Sequence, residues 1–240
     1  CDIPVFHDDQ HGTAIITGAA VINALKVAGK KIEDVKIVIN GAGAAGISIG
    51  KYLLDLGAKN VIWCDRKGVI VEGQEGINAA QAELPKISNT NKVTCLLSDA
   101  LVDADIFIGV SAPNIVSKDM IRSMADKAIV FPLANPVPEI SHDDAIEAGA
   151  YIIGTGSSKY PNQINNVLVF PGIFRGALDA GAKDINREMM IAASKAIAES
   201  IPEDKLSPEN IIPLAFDESV HKKVAEKVAE AARASGVARK

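Results

Sequence analysis

The 240-residue chain has 48% hydrophobic and 23% charged residues, an ordinary globular balance, and a formal net charge of −5. Only 4% of its residues are aromatic, and together with the negative charge this argues against a nucleic-acid partner. Three widely spaced cysteines, Cys1, Cys64 and Cys95, form neither a zinc pattern nor a disulfide framework, which fits a reducing, cytoplasmic location. We find no apolar run of transmembrane length and no signal peptide, so we expect no membrane partner.

The first chemically dense stretch is HDDQHGT, residues 7–13, which precedes a long apolar helix running to about Gly29. Acidic side chains near a helix start can cap the helix and suit its dipole. Asp8 and Asp9 are also the ligands that a hard cation such as Mg²⁺ or Mn²⁺ prefers, usually with further ligands from elsewhere. His7 and His11 straddle the junction of loop and helix, so a shared face is not assured. Helix capping and metal binding are therefore both possible roles for this acidic pair.

A glycine-rich turn follows the first predicted strand, Lys36–Asn40, which is short, apolar and β-branched like a strand buried on both faces. Gly41, Gly43 and Gly46 give the spacing G-x-G-x-x-G. In a dinucleotide fold the first glycine permits a tight turn, the second admits a pyrophosphate and the third allows close packing of the helix. The free N–H groups of the helix start attract an anion without a lysine. The turn therefore predicts a diphosphate site.

The second predicted strand, residues 60–64, leads to Asp65, which lies 65 − 46 = 19 residues past Gly46. A dinucleotide fold places the carboxylate that holds the adenosine ribose at about this distance. A βαβ turn without a ligand would explain the glycines but not Asp65. Arg66 and Lys67 can accommodate the 2′-phosphate of NADP or serve only as solvated surface, whereas Asp65 favours the free 2′-hydroxyl of NAD. The choice between NAD and NADP stays open.

Three further strands are predicted, within residues 101–110, 128–133 and 151–154, with helices between them. The loop after the first of these, Ser-Ala-Pro-Asn, should lie over the cofactor because ligands bind beyond the carboxyl ends of parallel strands. Pro132 inside the second indicates an edge strand or a bulge. The pattern predicts an α/β fold: a doubly wound parallel sheet of the Rossmann type with flanking N- and C-terminal helices, its core at about residues 30–170 and its C-terminal helices at about 171–240.

Three asparagines stand at positions where a ligand is expected. Asn135 follows a strand and precedes prolines that stiffen the loop, so its amide can hold a polar substrate or form an Asx turn. Asn165 and Asn166 precede an apolar, strand-like run and a helix that Pro171 can begin. A long irregular loop of this kind at a sheet edge is typical of a functional segment.

Three separated blocks, VFHDDQHGTA, INGAGAAGISI with VIWCDRKG, and LANPVPEI with NNVLVFPG, closely resemble the cofactor-binding domain of malic enzymes, in particular the compact bacterial and archaeal type. The resemblance covers essentially the whole chain. It implies oxidative decarboxylation of (S)-malate to pyruvate and CO₂, with NAD or NADP as cofactor and Mg²⁺ or Mn²⁺ as metal. It also leads us to expect a homodimer or higher homo-oligomer.

The resemblance implies a role for each matching residue. Asp9 matches the aspartate that binds the metal, and Asp8 matches its neighbour, which supports a catalytic lysine. Asn135 and Asn166 match the asparagines that hold malate, and Asn165 lies beside the nicotinamide pocket. The cofactor-binding positions are Gly41, Ala42, Gly43, Ala44, Ala45, Gly46, Asp65, Arg66, Lys67 and Asn165.

The chain departs from the family pattern because we find no counterpart of the preceding domain, with its tyrosine, its lysine and the Glu-Asp pair that completes the metal site. We therefore expect that domain to be absent and the isolated chain to bind nucleotide but turn over malate poorly or not at all. Two other functions stay open. One is a metal-free, amino-acid-type dehydrogenase with a Rossmann domain, and the other is a non-catalytic nucleotide-binding module.

Overall fold

Six β-strands form one sheet within residues 3–89 and 93–239, which the computed structural model describes; Cys1 lies outside them. The strands are β1 (Lys36–Asn40), β2 (Asn60–Asp65), β3 (Gly68–Val69), β4 (Ile106–Gly109), β5 (Ile129–Pro132) and β6 (Ile152–Ile153). Their order across the sheet is β3-β2-β1-β4-β5-β6, and every neighbouring pair is parallel except β2 and β3. The predicted doubly wound, Rossmann-type fold is confirmed.

Helices cover both faces of this sheet. They are α1 (Thr13–Ala28), α2 (Ala44–Asp55), α3 (Ala79–Ala82), α4 (Leu84–Ile87), α5 (Leu97–Leu101), α6 (Lys118–Arg122), α7 (His142–Glu147), α8 (Phe170–Asp179), α9 (Arg187–Ala198) and α10 (Glu218–Ala234). A π-helical turn, Asp8–Gly12, leads into α1, and a 3₁₀ turn, Asn166–Leu168, leads towards α8.

The core has two layers because successive side chains of a strand point to opposite faces of the sheet. Ile37 and Ile39 of β1 belong to the layer formed with α1, α2, α8, α9 and α10. Val38 of the same strand and Ile62 of β2 belong to the other layer, formed with α5, α6 and α7. Each central strand of the sheet is therefore buried on both faces, as its continuous apolar sequence predicts.

Helix α1 is a core helix that packs against α2 and α9. Its Asn23 is fully buried, and the side-chain amide donates to the carbonyl oxygens of Ala198 at 2.9 Å and Ile211 at 3.0 Å. By length and composition alone, the continuous helical stretch Asp8–Ala28 could cross a membrane, which the sequence-based expectation overlooked. However, 72% of its apolar window is buried inside the structure, so core packing accounts for its hydrophobicity.

Three local predictions were wrong. The short strand β3 runs antiparallel to β2, so the sheet is not purely parallel. Pro132 lies on an internal strand, and it is tolerated there because β6 pairs only with the preceding residues of β5. The strand-like run after Asn166 is helical instead, because a short apolar run does not distinguish a strand from a buried helix and Pro171 stands in the first turn of α8.

Candidate active site and cofactor cavity

The glycine-rich turn connects β1 to α2 in a conformation that two of its glycines make possible. Gly41 has a φ of +113°, and a Cβ there would lie 2.6 Å from the carbonyl oxygen of Val110. A Cβ on Gly46 would overlap the carbonyl oxygen of Gly41. The Gly46 carbonyl accepts a hydrogen bond of 2.9 Å from the indole Nε1 of Trp63, which holds the start of α2 against β2. In contrast, nothing lies within 4 Å of a Cβ placed on Gly43, so this face of the turn is open to a ligand.

Asp65 ends β2 beside this turn, and both of its carboxylate oxygens are held. Oδ1 accepts a hydrogen bond of 2.6 Å from the backbone N–H of Lys67, and Oδ2 accepts one of 3.0 Å from Nε2 of Gln74. The carboxylate is therefore fixed in one orientation at the strand end. The ammonium group of Lys67 donates to the carbonyl oxygen of Glu75 at 3.1 Å, which ties it to the following segment.

A cavity of about 760 Å³ lies between the glycine turn, the end of β2 and the loop after β4. Its lining includes Gly41, Ala42, Gly43, Asp65, Arg66, Lys67, Gln74, Gln81, Ser111 and Ile115. The segment after β3 forms one wall of the cavity. Gln81 of this segment connects it to the glycine turn, because its side-chain amide donates to the carbonyl oxygen of Ala42 at 3.0 Å. The cavity is lined by the open face of the glycine turn and by the fixed carboxylate of Asp65, and these groups suit a diphosphate and a ribose, so the cavity can hold a dinucleotide.

A second cavity, the polar cleft, has a volume of about 550 Å³ and lies at the carboxyl ends of β4 and β5. Its lining includes Asp8, Asp9, Thr13, Ala45, Ser111, Asn135, Gly156, Asn165 and Asn166. The structure thus brings together carboxylates, amides and two hydroxyls from four distant parts of the chain. Ser111 lines both cavities, so the cleft and the cofactor cavity meet at this residue.

Asp8 lines this cleft and has one side-chain oxygen without a partner among the described residues. Its Oδ1 atom is buried without a hydrogen-bond partner among the described residues, and a Cβ on Gly12 would overlap it. A buried carboxylate oxygen without a donor is unfavourable, so an orphaned atom of this kind marks a place for an external partner such as a cation, a water or an ammonium group. Asp9 is exposed and lines the same cleft.

The capping interpretation of this acidic pair receives no support from hydrogen bonds. The π-helical turn that holds both acids has no side-chain cap at its N-terminus. The two histidines do not line the cleft: His11 packs against the ring of Phe6 at 5.2 Å between centroids, and burial lowers its pKa, as does neighbouring His7. No group of three or more His, Cys, Asp or Glu residues suited to a metal occurs in residues 3–89 and 93–239. Asp8 and Asp9 would therefore need additional ligands.

Two of the three asparagines in the cleft, Asn165 and Asn166, make side-chain hydrogen bonds within the chain. The side-chain amide of Asn166 donates to the hydroxyl of Thr13 at 3.1 Å, and the side-chain oxygen of Asn165 accepts from the N–H of Val167 at 3.0 Å. A Cβ on Gly156 would lie 3.4 Å from the side-chain amide of Asn135, so the absence of a side chain there leaves room for this amide. Of the predicted turn residues, Ala45 lines the cleft, whereas Ala44 and Gly46 line neither cavity.

The sequence profile described as "Malic enzyme, NAD binding domain" matches residues 10–233. The chain belongs to this family. It is 54% identical over 239 residues to the bifunctional malic/malolactic enzyme of Bacillus subtilis, covering 99% of this chain and 58% of that protein. It is 46% identical over 257 residues to the NADP-dependent malic enzyme of Halomonas elongata, covering 100% of this chain and 60% of the relative.

Solved structures of malic enzymes share the fold. The NAD-dependent malic enzyme of Thermotoga maritima superimposes with a TM-score of 0.90 at 49% identity, over 95% of this chain and 60% of that one. This chain therefore spans less than two thirds of each of these malic enzymes. Their names include both NAD-dependent and NADP-dependent proteins, so membership of the family supports binding of a nicotinamide dinucleotide but leaves open which one this chain prefers.

Sequence reasoning missed two polar side chains of this malic enzyme domain. Gln74, which holds Asp65, lies in a segment whose path over the cofactor cavity has no local sequence signal. Glu139 lies within the block LANPVPEI that the sequence singled out, yet no role was assigned to it. It is fully buried directly behind the loops that follow β4 and β5. A charged residue among prolines at a strand end was the available signal for Glu139.

Proposed function

We propose that this chain is the nucleotide-binding half of an enzyme that converts (S)-malate to pyruvate and CO₂ while reducing a nicotinamide dinucleotide. The observation that carries this proposal is the shared wall at Ser111, which places a cleft of carboxylates and amides next to a dinucleotide-sized cavity. Membership of the malic enzyme family supports it. We expect the complete protein to supply the proton-transferring lysine and tyrosine that the family resemblance implies.

The cofactor cavity fits the dinucleotide part of this reaction. The open face of Gly43 and the start of α2 offer backbone N–H groups to a diphosphate, and Asp65 offers carboxylate oxygens to ribose hydroxyls. The nicotinamide end would then extend along Ser111 towards the polar cleft. A nicotinamide bound there would supply the hydride acceptor for carbon 2 of malate.

The polar cleft fits a small dicarboxylate. Asn135 and Asn166 carry neutral amides that can donate hydrogen bonds to malate carboxylates without adding charge. The hydroxyl of Thr13 holds the Asn166 side chain, so that its orientation is set before a substrate arrives. Orientation of the substrate beside the cofactor is one contribution that this chain can make to the reaction rate.

The acidic pair fits a hard divalent cation, since Asp8, whose Oδ1 atom has no hydrogen-bond partner among the described residues, and the exposed Asp9 line one cleft. We propose that Asp9 holds Mg²⁺ or Mn²⁺ and that Asp8 orients a neighbouring cationic side chain or a ligand of the metal. A cation held by these residues would supply Lewis-acid stabilisation for negative charge that develops on the oxygen at carbon 2. The two carboxylates alone do not complete a coordination sphere.

We further propose that NAD is preferred over NADP. The carboxylate of Asp65 is fixed by two hydrogen bonds where the adenosine ribose would lie, and it would repel a 2′-phosphate. The ammonium group of Lys67 is directed to the Glu75 carbonyl oxygen, away from that carboxylate. Arg66 is exposed on the same cavity and is the cation most able to lessen this preference.

The experiment that tests the proposal is an assay of the complete protein with malate, Mn²⁺ and either nucleotide, in which pyruvate and reduced nucleotide are measured separately. We expect equal amounts of both products and a higher kcat/KM for NAD than for NADP. Asp9→Asn should lower kcat by about a hundredfold or more if Asp9 is a metal ligand. Asp34→Asn, an exposed acid outside both cavities, is the matched control and should leave kcat unchanged.

Two outcomes would favour the other candidate functions. Turnover that persists in a chelator and in Asp9→Asn would indicate a metal-free dehydrogenase. Nucleotide binding without turnover, and without any effect of malate or Mn²⁺ on nucleotide affinity, would indicate a non-catalytic nucleotide-binding module.

A further inference from the structure

Glu139 is a fully buried carboxylate in the loop that follows β5, and it lies behind both cavities rather than in either of them. Its Oε1 atom accepts hydrogen bonds from the backbone N–H of Ser111 at 2.8 Å and from the Ser111 hydroxyl at 3.3 Å. Its Oε2 atom accepts one from the backbone N–H of Ala134 at 3.1 Å. One carboxylate therefore joins the loop that contributes to both cavities to the loop that carries Asn135.

The fold makes space for this carboxylate. Gly109 ends β4, and a Cβ placed on it would lie within 2.7 Å of both carboxylate oxygens of Glu139. Any side chain at position 109 would thus compete with Glu139 for the same volume. The backbone of Glu139 is held as well, because its carbonyl oxygen accepts from the N–H of Val116 at 3.0 Å. The position of the carboxyl group is therefore set by its surroundings.

The hydrogen bonds continue to a third strand end. The side-chain amide of Asn40, the last residue of β1, donates to the Ser111 hydroxyl at 2.6 Å, and that hydroxyl can then donate to Glu139. The carboxyl ends of β1, β4 and β5 are consequently joined through one group. Among the described residues the three donors that reach the carboxylate are neutral, so the arrangement serves geometry rather than a charge pair.

We infer that Glu139 is a positioning residue, which holds Ser111 and Asn135 in the relative placement that brings the nicotinamide end of the cofactor cavity to the polar cleft. The inference rests on the proposed function, because it assigns Glu139 to the alignment of malate with the cofactor. Each oxygen of the Glu139 carboxylate accepts a hydrogen bond from a backbone N–H group. Both side-chain atoms at these two positions must therefore be acceptors. A side-chain amide there would set its own NH₂ group against one of these N–H groups.

Glu139→Gln in the complete protein tests this inference, because the change keeps size and shape and alters one acceptor into a donor. We expect kcat for malate oxidation to fall about tenfold or more, since a small misplacement of reacting groups costs this much in rate. The dissociation constant of ADP-ribose, which lacks the nicotinamide, should stay within about twofold because the hydrogen bonds that hold Asp65 do not involve Glu139. If Glu139 had only a structural role, the substitution would lower the melting temperature without lowering kcat selectively relative to ADP-ribose affinity.

Glu147→Gln is the matched control. Glu147 is an exposed residue of α7 that pairs with Lys118 and lines neither cavity, so the same chemical change there should leave kcat, affinity and melting temperature as they are. The second readout is hydrogen exchange of the backbone amides in the complete protein. Peptides that contain Ser111 and Ala134 should exchange faster in Glu139→Gln and at the original rate in Glu147→Gln.

The two readouts separate this inference from the proposed function. If the unmodified protein does not oxidise malate with either nucleotide, the proposed function fails, and hydrogen exchange alone decides whether Glu139 fixes the two loops. If the unmodified protein is active, a Glu139→Gln variant with kcat within twofold of it overturns the inference. Unchanged exchange in both peptides overturns it in either case.

Discussion

The cofactor cavity and the polar cleft share Ser111 but are built in opposite ways. The centre of the cavity comes from one continuous βαβ unit, and the groups that would face a ribose are already hydrogen-bonded within the chain. The cleft takes its side chains from distant segments, and within residues 3–89 and 93–239 Oδ1 of Asp8 has no hydrogen-bond partner. The difference is that a bound ribose would meet groups already fixed by this chain, whereas the acidic side of the cleft has room for a further partner; the chain spans less than two thirds of the length of its relatives.

The largest effect is expected from an added methyl group in the glycine turn. Gly46→Ala would drive a Cβ into the carbonyl oxygen of Gly41, so the turn must shift. We expect a loss of about 1–3 kcal/mol in the free energy of unfolding and a nucleotide affinity lowered by about a hundredfold, as measured by denaturant titration and calorimetry. Gly43→Ala is the control, because open space at that position should leave stability unchanged while nucleotide affinity still falls. Equal stability of the two variants would contradict this account of the turn.

The same kind of change in the polar cleft should separate catalysis from nucleotide binding. Gly12→Ala keeps a helical backbone conformation but places a Cβ on Oδ1 of Asp8, so this carboxylate must move. We expect kcat/KM for malate to fall about tenfold in the complete protein, with the dissociation constant of ADP-ribose unchanged. Gln10→Ala, an exposed change in the same turn, should alter neither value. A parallel loss of ADP-ribose affinity in Gly12→Ala would show that the two cavities are not separable in this way.

A smaller effect is expected from the side chain that holds Asp65. Gln74→Ala removes the hydrogen bond to Oδ2 and frees the carboxylate to rotate, which should weaken NAD binding about three- to tenfold. NADP binding should weaken less, so the ratio of the two affinities should move towards NADP. Glu72→Ala, an exposed neighbour outside the cavity, is the control for both titrations. An unchanged ratio would mean that the orientation of Asp65 does not set the choice of cofactor.

The smallest effect is expected at the exposed cations of the cavity. Replacing Arg66 and Lys67 together by Ala should weaken NADP about two- to fivefold and NAD less, since exposed charges contribute little in water. Isothermal titration with both nucleotides at low and at physiological salt measures the difference, which should shrink as salt rises. Lys31→Ala removes an exposed cation elsewhere and should affect both nucleotides alike. If the double replacement weakened NAD and NADP binding equally, the two cations would be only solvated surface residues without a role in the choice of nucleotide.

The comparison also explains how much of the molecule can be predicted from sequence. The strands, the glycine turn and Asp65 follow from local patterns, because a continuous βαβ unit carries its spacing in the chain itself. The gathering of Asp8, Asn135 and Asn166 in one cleft was expected only through the family resemblance. No local pattern encodes which segments meet across a sheet.

What sequence reasoning missed depends on contacts between segments. Glu139 gains its place from donors on two other loops, and Gln74 gains its place from a wall segment that folds back over the glycine turn. The apolar run after Asn166 became a helix because a proline in its first turn and burial against the core outweighed its β-branched composition. Tertiary contacts, rather than intrinsic propensities, decided each of these cases.

The indole of Trp63 sits beneath the glycine turn, and it is the single tryptophan of the 240 residues. Tryptophan emission from this chain therefore originates at one buried spot, which is hydrogen-bonded to the start of α2. Reduced nicotinamides absorb in the wavelength range where indole emits, so occupancy of the cavity can be followed by quenching without attaching a dye. The chain carries its own optical probe of nucleotide binding.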